Sequence, residues 1–237
     1  MTFGIIASAK VASGGSSPPT VVATTGNSLT ATLDCAAIFS SYTPALNDFI
    51  LIVPSSQSTL AVVDVAGWTN AGGSGAEVNA SSATGMAAIY HWVDAGEVSG
   101  VAQTYTATGF FGAGSETGYV HAFAVRGVNT STPIDDFSML ADIALGASHL
   151  TPALTGSNLS TGSTVLAGLG RDGASGSGYG TQNPTGWTQL LSTAVNNDRW
   201  SGILNTATTT GVGVASASLT PVVADEYISW AIALNKI

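Results

Sequence analysis

"YVHAFAVRGVNTSTPIDD", from Tyr119 to Asp136, decides how this chain folds. An apolar run ends on Arg126 and is followed by a glycine, a polar tract, Pro133 and two aspartates. Val120, Ala122 and Ala124 fall on one face of the run, and Tyr119, Phe123 and Val125 on the other. A strand with one wet face alternates apolar and polar residues, so this pattern predicts a central strand covered on both sides. The return through Gly127 to Pro133 brings the chain back on itself, which predicts that Asp135 or Asp136 reaches the guanidinium. Arg126, Asp135 and Asp136 would then form a structural clip, because a bidentate pair satisfies a charge that is costly at the edge of an apolar strand.

The plan recurs. The first half reads "DFILIV", "GWT", "AIYHWV", "YTATG" and "YVHAFAVRGV"; the second reads "TVLAGL", "GWT", "RWSGIL", "SASLT" and "YISWAIALNK". Five landmarks in one order predict a duplicated strand plan, with halves at about 1–135 and 136–237 and Leu234 aligned with Arg126. The join from Pro133 to Gly162 contains "FSMLADIALGASHLTPALT", too apolar for a linker. It favours one domain over 1–237, an all-β single sandwich of jelly-roll type whose halves interlock, and leaves two separate sandwiches open.

Short β-branched and aromatic runs between Gly, Ser, Asn and Pro predict strands near Gly4–Val11, Ser28–Asp34, Phe49–Val53, Ala61–Val65, Ala87–Val93, Thr104–Gly109, Val120–Val128, Thr164–Leu169, Thr188–Thr193, Arg199–Thr206, Val212–Leu219 and Ile228–Leu234. One short helix is conceivable at Asp34–Phe39.

Charge is scarce: 8% of the 237 residues, about a third of the usual fraction, against 45% hydrophobic. The longest apolar runs fall short of the roughly 20 residues a spanning helix needs, so no membrane insertion is expected. A net charge of −9 without clustered Lys or Arg excludes nucleic acid as a partner. The lone Cys35 excludes an internal disulfide, and no Cys/His spacing suggests zinc. The start, "MTFGIIASAKVASGG", lacks the basic region and apolar core of a signal peptide, which implies a cytosolic site of synthesis. Ser, Thr, Asn and Gly fill the remaining surface. Such groups are cheaper to desolvate at an interface than ions, and strands apolar on both faces want cover, so a homo-oligomer is expected.

The candidate chemical sites are each outweighed by a structural reading. "GLGRDG" at Gly168–Gly173 has dinucleotide-fingerprint spacing but lacks the helix that would hold a pyrophosphate, which leaves a glycine-rich loop, with 171–185 as a contact loop. There is no G-x-S-x-G elbow, and His91, His121 and His149 are scattered. Asp135, Asp136 and Asp142, or Asp225 and Glu226, would serve calcium only with help that no motif supplies. Among the aromatic residues, Tyr179 and Trp200 are the least constrained candidates for stacking on a sugar. No catalytic residue, cofactor or metal is therefore expected, and the chain is not read as an enzyme.

"FAVRGVNTSTPIDD" resembles the "AxRGVDTxTPID" signature of a β-sandwich structural protein family encoded largely in bacteriophage and prophage genomes. The likeness extends to "NDFILIV", "IYHWVDAGE", the two "GWT" motifs and the closing "WAIALNKI"; Asn129 stands where aspartate is commoner. The resemblance implies a virion location as a capsid decoration, head-fibre or tail component, with other virion proteins as partners. The alternative is an adhesion module for host glycans.

Overall fold

The computed structural model describes residues 17–56, 58–74, 76–80, 84–98, 103–112, 116–146, 148–154, 162–171, 179, 181–195, 197–204, 214, 216–221 and 225–237. Among them there is no helix. In chain order the strands are β1 (Thr20–Thr32), β2 (Cys35–Phe39), β3 (Phe49–Ser56), β4 (Thr69–Asn70), β5 (Glu77–Ala80), β6 (Thr84–Ala87), β7 (Ile89–Trp92), β8 (Gln103–Ala107), β9 (Glu116–Arg126), β10 (Ile134–Gly146), β11 (His149–Leu150), β12 (Thr164–Arg171), β13 (Trp187–Val195), β14 (Asn197–Leu204), β15 (Ser218–Leu219) and β16 (Asp225–Leu234).

Among the described residues all the pairings are antiparallel. The first large sheet runs β1-β9-β3-β6-β5, with β7 also paired to β3 and β4 to β7, and a small sheet, β2-β8, accompanies it. The second large sheet runs β10-β16-β12-β14-β13, and its small companion is β11-β15. The chain is thus all-β and the two halves share a plan: a 13-residue edge strand, an 8-residue inner strand and a long central strand recur as β1, β3, β9 and β10, β12, β16.

Three buried clusters follow from strand alternation. Ile50, Ile52, Val120, Ala122 and Ala124 of the first large sheet pack on Cys35, Ala37, Phe39, Tyr105 and Ala107 of its small sheet. Val165, Ala167, Leu169, Ala231 and Ala233 face Leu219, Leu154 and Ala217 in the second half. The intervening residues make the third cluster: Phe49, Leu51, Val53, Phe123 and Val125 meet Leu166, Ile228, Trp230, Ile232 and Leu234. The two large sheets therefore pack face to face, with a small sheet outside each. This is why β9 and β16 are apolar on both sides, as the sequence implied. The cover comes from the other half of the same chain, so these strands offer a second copy no open apolar face.

The register corrects one alignment. Phe49 pairs with Val125 and Thr164 with Leu234 at the starts of equivalent ladders. Leu234 thus matches Val125, both pointing into the shared cluster, and Arg126 matches Asn235. A one-residue slip moves every side chain to the other face, which a comparison of landmarks does not detect.

Most expected strands are present. Gly4–Val11 lies outside the described residues, as do 212, 213 and 215 of Val212–Leu219, whose described part holds a bridge at Val214 and β15. Ala61–Val65 makes an isolated bridge from Val62 to Phe111, not a strand. Asp34–Phe39 is no helix: Cys35, Ala37 and Phe39 point inward with period two while β2 pairs with β8. The join is strand β10, where the sequence implies only a packed connection. Pro54 sits in β3 without breaking the sheet, because the ladder on one side changes there from β7, ending at Ile52, to β6, starting at Ser55.

Candidate functional site

Arg126 ends β9 and meets a carboxylate far away in sequence. Its Nε donates to Asp48 Oδ1 at 2.8 Å and a terminal nitrogen donates to Asp48 Oδ2 at 2.7 Å, with a further 3.3 Å bond to the Thr43 carbonyl. Asp48 is buried, its side chain 1% exposed against 48% for Arg126. Tyr42 Oη at 2.6 Å and the Ala45 amide at 2.9 Å also donate to Asp48. Burial pushes the Asp48 carboxyl upward, but the bonds from Arg126, Tyr42 and Ala45 prevail and hold it below its ordinary value. The bond to Asp48 raises the arginine, and burial with that same carboxylate raises the Tyr42 phenol.

The arginine clip thus exists with a different partner. Asp135 accepts from the Ser163 hydroxyl at 3.1 Å, and Asp136 accepts from the Phe137 amide at 2.8 Å. Neither takes Arg126, because the loop after β9 leaves along the chain's last residues: Val128 bridges to Lys236, the Asn129 amide donates to the Asn235 carbonyl, and the Ile237 amide to the Gly127 carbonyl. Asn129 Oδ1 accepts from the amides of Ser131 and Thr132, and its Nδ2 donates to the Lys236 carbonyl at 3.4 Å. Gly127, at φ 83°, supplies the left-handed turn. The signature segment ties the ends of β9 and β16 together. Beside it a groove of about 520 Å³ is lined by Asn47, Asp48, Arg126, Asn129, Thr130 and Ser131, with Leu46 and Ile237 as apolar flanks.

A second polar cluster lies between the large sheets. His121 Nδ1 is 2.7 Å from Ser201 Oγ and its Nε2 is 3.3 Å from Thr193 Oγ1, joining β9 to β14 and β13. Arg199 donates to Ser55 Oγ and, at 2.6 Å, to the Arg171 carbonyl. A histidine bonded to a serine has the form of a base beside its nucleophile, but His121 is 4% and Ser201 0% exposed, which leaves a substrate no route to either. Burial and the nearby Arg199 push His121 down to about 3, so the ring is neutral and acts as a buried pin between the halves.

The other histidines are structural too. His91 bonds the Gly67 carbonyl at 2.7 Å and Glu97 at 2.9 Å. His149 stacks on Tyr227 with centroids 4.2 Å apart and bonds Tyr179 Oη.

Tyr179 and Trp200, the expected sugar contacts, are 1% and 0% exposed and belong to the core of the second half. A buried ring offers a saccharide no face; Trp200 donates to the Gln182 carbonyl and lies edge-on to Trp187. "GLGRDG" is also reassigned in part. Gly168, Gly170 and Arg171 lie in β12, while Asp172 and Gly173, with 174–178 and 180 of the expected contact loop, lie outside the described residues. A Cβ on Gly168 would stand 2.8 Å from Ser201 Oγ and from the Trp200 carbonyl and would strike the indole of Trp230, so the glycine makes room for neighbouring strands of its own sheet and for the indole that packs on Phe123 of the first half. Among the described residues no group of three or more His, Cys, Asp or Glu side chains is placed to hold a metal.

Asp48 is the partner of Arg126 that the sequence does not reveal. It sits one position before the "FILIV" strand, and its pairing with Arg126 spans 78 positions. In comparisons with known proteins, no family model, curated protein or solved structure matches the chain.

Proposed function

We propose that the chain is a virion structural protein, a capsid decoration, head-fibre or tail component, that works through contacts with other virion proteins. The observation that carries this reading is where the polar chemistry resides. His121 with Ser201, Arg199 with Ser55 and His149 with Tyr179 all tie parts of the fold together in its interior, and the half-exposed Arg126 is taken up by the buried Asp48. What faces solvent is largely uncharged hydroxyl and amide, a surface that is inexpensive to bury against a neighbour. The resemblance of 123–136 to a phage structural signature supports the same reading. We take the two halves, joined by the shared cluster, to behave as one rigid sandwich-like unit.

The test is mass spectrometry of purified particles from the phage or prophage that encodes the chain. Copy numbers matching capsomers point to decoration and a handful to the tail. Absence from particles overturns the proposal.

A second reading, glycan binding in adhesion, is favoured by the groove beside Arg126, where Asn47, Thr130 and Ser131 converge. Loss of binding on a glycan array in an Asn47→Ala, Thr130→Ala variant is its expected outcome, and a wild-type chain that binds no saccharide overturns it.

A further inference from the structure

We propose that β1 is a self-association edge, which pairs antiparallel with β1 of a second copy of this chain. β1 is the end strand of the first large sheet, and among the described residues no strand pairs with its outer side. Native proteins blunt such edges with charges, proline, bulges or cover. The sequence of β1, TVVATTGNSLTAT, holds neither a charge nor a proline. Its bulges fall at Val21/Ala23 and Leu29/Thr32, leaving Ala23 to Leu29 in unbroken register with β9. Seven residues of unbulged edge exceed an average strand.

The equivalent edge of the other half provides the contrast. β10 reads IDDFSMLADIALG and carries Asp135, Asp136 and Asp142. A second copy pairing there would set carboxylates against carboxylates, whereas at β1 no like charges meet, which matters for a chain of net charge −9. Of the carboxylates near the end of β1, Glu116 is buried and accepts from Ser56 and Ser58, while Asp34, half-buried, accepts from the Gly109 amide and borders the groove beside the edge.

Beside the edge runs a groove of about 340 Å³, lined by Asn27, Ser28, Thr30, Thr32 and Ile38, with Ile38 52% exposed. Thr25 and Asn27 already donate to the β2 carbonyls of Ile38 and Ala36, so an incoming strand would pair with β1 and not with β2. A two-fold axis at Gly26 would set Thr24 of each copy opposite Ser28 of the other, a hydroxyl pair of the kind that stabilises sheets.

The inference rests on the assembly reading only in naming its partner, and the test separates the two. Analytical ultracentrifugation of the full chain over micromolar to hundred-micromolar concentrations should show a dimer. Thr24→Lys with Ser28→Lys, and Thr24→Glu with Ser28→Glu, should each weaken it at least tenfold while circular dichroism stays unchanged. Mixing the two variants should restore association. Among residues 23–29, exchange of the alternate amides that point away from β9 should slow with concentration. A monomer at every concentration, a dimer indifferent to both variants, or outward-pointing amides at 23–29 already protected in dilute chain overturns the inference. A monomeric chain found at high copy in particles overturns it and leaves the assembly reading standing; a β1-paired dimer absent from particles does the reverse.

Discussion

Arg126 and Asn235 hold equivalent positions in the two halves, each one residue beyond the ladder that begins at Phe49–Val125 or at Thr164–Leu234. Their partners are equivalent as well. Asp48, preceding β3, takes Arg126, and Ser163, preceding β12, lies 3.5 Å from Asn235 Oδ1. Where the first half has an ion pair, the second has a serine hydroxyl that donates to Asp135 at 3.1 Å and lies beside Asn235. The difference follows from burial: Asp48 is an enclosed carboxylate and needs a cation, whereas Ser163 does not.

Removing the arginine should therefore destabilise the fold. Arg126→Ala leaves the Asp48 carboxylate with only Tyr42 and the Ala45 amide, at a cost of about 2–3 kcal/mol, below that of a fully enclosed pair because the guanidinium is half exposed. Arg126→Lys should recover part of this, since an ammonium cannot reproduce the two parallel bonds. Urea denaturation measures both, and an unchanged midpoint in Arg126→Ala would show that the pair does not hold the fold.

Stability should fall on acidification below about pH 6.5. His121 titrates near 3 when folded and near 6.5 when unfolded, so between these values the unfolded chain binds the extra proton and is favoured. The slope from this group is at most about 1.4 kcal/mol per pH unit. Asp48, held below its ordinary value, adds a loss at still lower pH, as it becomes protonated through its folded value. His121→Asn, which keeps an amide near the Nδ1 position facing Ser201, should flatten the dependence between pH 4 and 6.5. Denaturant midpoints across that range test this, and equal slopes in both proteins would remove His121 as the cause.

The packing within the second large sheet should be sensitive at Gly168. Gly168→Ala drives a methyl into Trp230, Ser201 Oγ and the Trp200 carbonyl, a backbone group that cannot swing aside, at about 1–3 kcal/mol or more. Trp230→Phe removes the indole edge that the methyl would strike. The double variant should then be more stable than the sum of the two single costs, read as a coupling in a mutant cycle, and strict additivity would count against the contact.

What is legible in the sequence is local or periodic. The alternation along 119–125 shows a strand covered on both faces, and the repeated landmarks show two halves, because both depend on period-two geometry within one strand. What covers those faces is not legible, since Phe123 meets Trp230 across more than a hundred positions and no pattern within either strand encodes the meeting. Asp48 escapes notice for the same reason. Asp135 and Asp136 are nearer in sequence, but the loop's path is set by backbone bonds to 235–237, which carry no side-chain signature. Tyr179 and Trp200 are misjudged because nothing in the sequence near them encodes the strands of the second half that enclose them.

The choice of Asn129 over the commoner aspartate can be tested directly. Either side chain accepts from Ser131 and Thr132, but only the amide donates to the Lys236 carbonyl. Asn129→Asp should cost about 0.5–1 kcal/mol, and Asn129→Ala, which loses the turn as well, about twice that. The order of the two midpoints in thermal or urea unfolding is the readout; Asn129→Asp matching wild type would mean that the 3.4 Å bond contributes nothing.

Two tyrosines in one cluster should respond oppositely to loss of the hydroxyl. Tyr42 and Tyr105 lie 6.4 Å apart, both 3% exposed. Tyr42 Oη donates to the Asp48 carboxylate, whereas Tyr105 Oη is buried with no hydrogen-bond partner among the described residues. Burial, reinforced by the negative Glu97, Asp48 and Asp94, pushes the Tyr105 phenol up to about 12, so it stays protonated. Tyr42→Phe deletes a bond to a charged group and should cost about 1.5–3 kcal/mol. Tyr105→Phe deletes a desolvated hydroxyl that nothing offsets and should leave stability unchanged or raise it by up to about 1 kcal/mol. Urea midpoints of the two variants measure the contrast. A Tyr105→Phe loss as large as that of Tyr42→Phe would mean that the Tyr105 hydroxyl has a partner in solution and is part of the Asp48 network.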